Sequence, residues 1–158
     1  MNLLPATRRR TLASALALSL LTASAAVVQA HPAAAATGSC PGTQIASYPV
    51  TYETLRMGTI YLYWDASTGE NCAENVAYGS FYGRSGKDMS VSLSACAYDA
   101  QGDCQTVGTV HYDNGEYLYY AGPVFVSAEH LCVVVYGQID DSYYGLGDGG
   151  SNGPVHCD

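Results

Sequence analysis

Basic residues are scarce along most of this chain. Six Lys and Arg stand against fourteen Asp and Glu in 158 residues, and Arg8, Arg9 and Arg10 account for half of the six. From residue 37 onward three basic residues face all fourteen acids, a net charge of −11. Nucleic acid and anionic lipid surfaces are recognised through basic patches, so repulsion excludes both as partners. No Cys-x-x-Cys pair occurs, which removes the usual zinc-site spacing. His111, His130 and His156 lack the i, i+4 spacing of a helical metal site. Asp140 and Asp141 are adjacent, so a strand would point them to opposite faces, and no pair of acids can be nominated for cleaving a glycosidic bond. The expectation is a protein that is not an enzyme and uses no cofactor.

What stands at the start is a leader. Arg8 to Arg10 form a positive region, Leu12 to Val28 an apolar one, and alanine-rich cleavage positions follow. Residues 1–36 read as a signal peptide cleaved after Ala36, with cleavage after Ala30 as the alternative because Val28-Gln29-Ala30 also fits. Thr7-Arg8-Arg9 leaves twin-arginine export open beside the general route. The apolar run is short for a membrane span and no stop-transfer segment follows. Residues 37–158 are then one secreted, extracellular domain.

All six cysteines, Cys40, Cys72, Cys96, Cys104, Cys132 and Cys157, lie beyond the leader. An even number in an exported chain implies disulfides. Six cysteines allow about fifteen pairings, but Cys96 and Cys104 flank a segment, Tyr98 to Asp103, that reads as a hairpin tip. A sequential pattern follows, Cys40 with Cys72, Cys96 with Cys104 and Cys132 with Cys157, each bridge stapling neighbouring elements.

No helical stripe persists beyond the leader, whereas period-two alternation does. Ile60, Leu62 and Trp64 alternate with Thr59, Tyr61 and Tyr63, and Met89, Val91, Leu93 and Ala95 alternate with Ser90, Ser92 and Ser94. That is the pattern of half-buried antiparallel strands. Val124–Val126 and Leu131–Tyr136 are continuous apolar runs that suit central strands. Turn chemistry separates the runs at Ser67-Thr68-Gly69, Gly83 to Gly86, Gln101-Gly102-Asp103, Asn114-Gly115 and Ala121-Gly122-Pro123. These signals predict an all-β domain, a sandwich or flattened barrel of seven to nine short strands. Residues 145–153 are so glycine-rich that a flexible loop is expected there. Asp140, Asp141 and Asp148 could offer oxygens to calcium, but the alternating ligands of an EF-hand loop are missing and no metal site is assigned.

Fourteen tyrosines accompany one tryptophan and two phenylalanines. A tyrosine ring offers a rigid apolar face and a polar tip, which suits contact with sugars or proteins. Tyr61 and Tyr63, on the solvent side of their strand, and Tyr143 and Tyr144, in an acidic loop, form the candidate binding surface. This motivates a carbohydrate-binding module as one alternative function. A secreted enzyme inhibitor is another, although inhibitors of α-amylase present a Trp-Arg-Tyr triplet and this chain has Tyr63-Trp64-Asp65.

Two blocks carry a family resemblance. The first is Gly58-Thr59-Ile60-Tyr61-Leu62 with Ala66-Ser67-Thr68-Gly69 and Asn71-Cys72. The second is Tyr112-Asp113, Gly115, Tyr117, Tyr120 to Val126, then Cys132-Val133, Gly137 and Ile139. In these the chain resembles the spore-associated protein A family, small exported proteins of filamentous spore-forming bacteria. That family pattern holds cysteines at the positions of Cys40, Cys72, Cys132 and Cys157 and lacks the other two, which implies that Cys96 and Cys104 bond to each other. The resemblance implies a non-catalytic protein associated with the spore or cell surface, structural or adhesive, whose partner is an envelope component or a polysaccharide. It transfers no catalytic residues.

Overall fold

The computed structural model describes residues 40–157; the expected leader at residues 1–36, residues 37–39 and Asp158 lie outside the described residues. Eight strands follow one another: β1 Thr43–Tyr52, β2 Leu55–Asp65, β3 Glu70–Ala77, β4 Lys87–Tyr98, β5 Cys104–Glu116, β6 Tyr120–Ser127, β7 Cys132–Asp141 and β8 Gly145–Gly150. A single 3-10 turn, Gly79–Phe81, precedes β4, and there is no α-helix among the described residues. The strands form one antiparallel sheet in the order β5-β4-β7-β8-β1-β2-β3-β6. The sheet curls into a nearly closed barrel whose outermost strands, β5 and β6, border an open seam. The expected all-β architecture is therefore present, in its flattened-barrel form.

The alternating segments pack as their period dictates. Ile60 and Leu62 of β2 and Ala73 of β3 lie buried in one half of the core, with Met89, Val91 and Leu93 of β4 and Val133, Val135 and Ile139 of β7 in the same cluster. Burial of these apolar side chains is the main favourable term, about 1.5–3 kcal/mol for each large one. Asn75, wholly buried, ties the halves together: its Nδ2 donates to the carbonyls of Ser90 on β4 and Gln138 on β7 at 2.9 and 3.0 Å.

Three disulfides join Cys40 to Cys72, Cys96 to Cys104 and Cys132 to Cys157. The first fixes the start of the described chain to β3, the second closes the β4–β5 hairpin, and the third ties the C-terminal segment to β7.

The structure corrects four sequence expectations. Gly145–Gly150 is strand β8, paired with β7 from Asp141↔Gly145 to Tyr136↔Gly150, and not a flexible loop. Its glycines serve close packing: a Cβ on Gly149 would lie 2.0 Å from the Pro49 carbonyl oxygen, and one on Gly147 would lie 2.6 Å from Met57 Sδ. Asn114-Gly115 does not turn; both residues continue the ladder with Ser90 and Met89, and the reversal falls at residues 117–119. The Asp113 carboxylate, accepting from Tyr117 Oη at 2.8 Å and from the Gly122 amide at 2.7 Å, organises that later turn. Ala121-Gly122-Pro123 lies inside β6 at a register shift, with a cis Gly122–Pro123 peptide. The apolar run Val124–Val126 belongs to this outermost strand rather than a central one, whereas Cys132–Tyr136 in β7 is central.

Candidate functional site

Strand direction sorts the connections into two groups. Residues 53–54, 78–86, 117–119 and 142–144 all emerge at one end of the barrel, while 66–69, 99–103 and 128–131 emerge at the other. The first end gathers Arg56, Arg84 and Lys87, all three Lys and Arg found beyond residue 36, together with most of the exposed tyrosines.

Lys87 anchors this end. It is 2% exposed, and its ammonium donates to the carbonyl oxygens of Arg84, Tyr117 and Leu118 at 2.6, 2.8 and 2.8 Å. Three donors meet three acceptors, which is how a buried ammonium becomes tolerable. Burial pulls its pKa below the ordinary lysine value, against the opposing pull of Asp141. The contacts lock the β3–β4 connection to the β5–β6 turn, and Gly83 N–H reinforces this by donating to Leu118 O at 2.8 Å.

Asp141, buried at the end of β7, shapes the adjoining turn. One carboxylate oxygen accepts the amides of Tyr143 and Tyr144 at 3.0 and 3.2 Å, and the other pairs with Arg84 Nε at 3.2 Å. The Arg84 guanidinium lies 5.3 Å from the Tyr144 ring centroid and 5.8 Å from that of Phe81. Tyr144 in turn packs edge-on to Tyr143, 79% exposed, at 4.8 Å. On the other side of the end, the rings of Tyr82 and Tyr119 stand 4.9 Å apart, and Arg56 lies 4.5 Å from the Tyr78 centroid. Both arginines are thus placed for cation–π contact. Rings held by such contacts lose little freedom on meeting a ligand.

The four tyrosines expected to form a binding surface fall into two separate pairs, of which only Tyr143 and Tyr144 belong to this end. Tyr61 and Tyr63 are half-buried on the outer face of β2, beside the buried Thr59, Cys72 and Glu74. The Tyr63 hydroxyl donates to Glu74 Oε1 at 3.2 Å, and burial, followed by the Glu74 charge, pushes its pKa up to about 12. Tyr78, Tyr82, Tyr119, Arg56 and Arg84 were missed by reading the sequence. A signal existed: Tyr78-Gly79, Tyr82-Gly83 and Tyr144-Gly145 each set a tyrosine beside a turn-forming glycine.

Other candidates stay apart. Asp140 is exposed, Asp141 is held as described, and Asp148 lies 3.4 Å from the Tyr136 hydroxyl. Among the described residues no group of His, Cys, Asp and Glu could hold a metal ion. Gly149 to Gly153 spell Gly-x-Ser-x-Gly, but the segment leaves β8 without entering a helix and Ser151 Oγ accepts the Val135 amide at 3.2 Å. It lacks the strand–turn–helix context of a nucleophile elbow. Trp64, half-buried at the opposite end, has its ring 5.0 Å from that of His156.

Fold and site define a small antiparallel barrel with three disulfides and one tyrosine-bearing end. Its sequence is 33% identical over 76 residues to spore-associated protein A of Streptomyces coelicolor, a match spanning 48% of this chain and 42% of that protein. This supports a relationship at the family level. The chain thus matches less than half the length of its curated relative. No protein-family model matches the chain, and no solved structure does. Among the described residues no helix is long and apolar enough to cross a membrane.

Proposed function

We propose that this chain is a non-catalytic, secreted protein of the spore or cell surface, and that it adheres through its tyrosine-bearing end. The observation that carries the reading is the convergence of Tyr78, Tyr82, Tyr119, Tyr143 and Tyr144 from three connections, four of them packed in two pairs and two backed by arginine. Pre-held aromatic rings give contact area at low entropic cost. The relationship to spore-associated protein A directs the search to envelope material.

A second reading, recognition of a polysaccharide, is favoured by the pairing of Arg84 with the Tyr144 ring, since a guanidinium can donate to sugar hydroxyls beside a stacking face. The inhibitor reading gains no support, because Trp64 is half-buried beside an imidazole and lies away from every arginine-bearing connection.

The test is co-sedimentation of the oxidised protein with spore envelopes, vegetative walls, chitin and cellulose. Tyr82→Ala/Tyr143→Ala is compared with Tyr61→Ala/Tyr63→Ala. Adhesion by the tyrosine-bearing end requires saturable binding lost in the first double variant and kept in the second. Binding to pure chitin or cellulose selects the polysaccharide reading. Equal binding by both variants, or none by the parent protein, sinks the proposed site.

A further inference from the structure

The seam between β5 and β6 is a second feature, remote from the tyrosine-bearing end over most of its length. β5 pairs with β4 along one side and has no ladder partner on its other edge among the described residues. Residues 105–112 are exposed throughout, on both faces, including Val107 at 43%, Val110 at 47% and Tyr112 at 71%. Between them and Pro123–Ser127 of β6 runs a groove of ≈ 760 Å³. A free strand edge is a row of unmatched amides and carbonyls, and proteins ordinarily blunt it with charge or proline. β6 carries Pro123. Within β5, Gln105 to Tyr112, QTVGTVHY, holds no proline and no Asp, Glu, Lys or Arg and has β-branched residues at four of eight positions; the ladder with β4 shifts register between Val107 and His111, around Gly108 at φ 75°, while the opposite edge stays open.

We propose that β5 is a self-association edge, pairing antiparallel with β5 of a second copy to make a two-fold dimer with a continuous sheet. Charge selects the occupant. The chain from residue 37 carries −11, so two copies repel along most approaches, whereas the 105–112 edge contributes no carboxylate. An antiparallel pair of identical strands is self-complementary and closes as an isologous interface. The groove leaves open space beside β5 for the incoming strand. Because β5 runs from the Cys104 end to the tyrosine-bearing end, antiparallel pairing directs the two tyrosine-bearing ends in opposite directions. The dimer would then bridge two surfaces, a consequence that rests on the adhesive reading above; the dimer itself does not.

Sedimentation equilibrium of the oxidised protein over a range of concentrations, with Val110→Lys as the edge variant and Tyr143→Ala as the control, tests this. The parent protein and the control are expected to dimerise reversibly. Lysines brought together across the two-fold should weaken association by about tenfold or more, with near-ultraviolet dichroism unchanged. Val107→Lys serves if Val110→Lys misfolds. A monomer at every concentration overturns the proposal and leaves the groove to a strand of another protein; a dimer indifferent to both lysine variants overturns it too. Envelope pelleting by Val110→Lys separates the two readings: retained binding with loss of envelope cross-linking supports the bridge, and loss of pelleting in Tyr82→Ala/Tyr143→Ala bears on adhesion alone.

Discussion

The ammonium of Lys87 donates to the carbonyl oxygen of Leu118 at 2.8 Å, joining the first residue of β4 to the turn between β5 and β6. Two further carbonyls complete its shell. A methionine of similar length would fill the space, leave the Arg84 and Tyr117 carbonyls without the ammonium and leave the Leu118 carbonyl to the Gly83 amide alone. Lys87→Met is expected to cost about 2–4 kcal/mol, read from urea unfolding midpoints. It should also raise hydrogen exchange at Gly83, whose amide shares the Leu118 carbonyl.

Gly149→Ala tests whether β8 is held by close backbone approach. The added methyl would meet the Pro49 carbonyl oxygen at 2.0 Å, and backbone cannot yield as a flexible side chain does. A loss of about 1–3 kcal/mol is expected, against little change for Gly102→Ala or Gly153→Ala beyond the strain of their positive φ angles, since no atom lies near either added carbon. Thermal melting of the three variants checks the ranking.

The disulfides should rank by loop length. Their separations are 8 residues for Cys96–Cys104, 25 for Cys132–Cys157 and 32 for Cys40–Cys72. Chain entropy then assigns about 2.5, 3.5 and 3.7 kcal/mol respectively. Paired Cys→Ala variants, unfolded by denaturant, should show the Cys96–Cys104 pair as the cheapest to remove.

Stability should fall at alkaline pH through Tyr63. Its hydroxyl has a folded pKa of about 12, above the ordinary value near 10. Between those values the unfolded chain loses the proton first and binds fewer protons than the folded one, so unfolding becomes easier as pH rises. The contribution is intact below about pH 10 and gone above about 12. Tyr63→Phe removes it, and the slope of unfolding free energy against pH in that window should be shallower in the variant.

Much of the architecture was legible because it depends on local pattern. The β2 and β4 alternation placed Ile60, Leu62, Met89, Val91 and Leu93 in the core, since period two is a property of the extended chain itself. The short segment between Cys96 and Cys104 limited the cysteine pairing in the same local way. Glycine misled where its role depends on a neighbour remote in sequence: GLGDGG reads as flexibility until β1 is seen passing against it. Asn114-Gly115 misled because a turn propensity yielded to a ladder that continues to Glu116.

Composition and local spacing thus determined a disulfide-bonded all-β domain of strongly acidic character. Only the tertiary structure decided where function could lie. Four connections separated by up to dozens of residues meet at one end because antiparallel strands return there, and Lys87, Asp141 and Asn75 are buried where groups remote in sequence reach them, from the 117–119 turn, from Arg84 and from β4 and β7 respectively. Such long-range meetings leave no trace in the spacing of a single chain, which encodes the period of each strand but not which strand lies beside it.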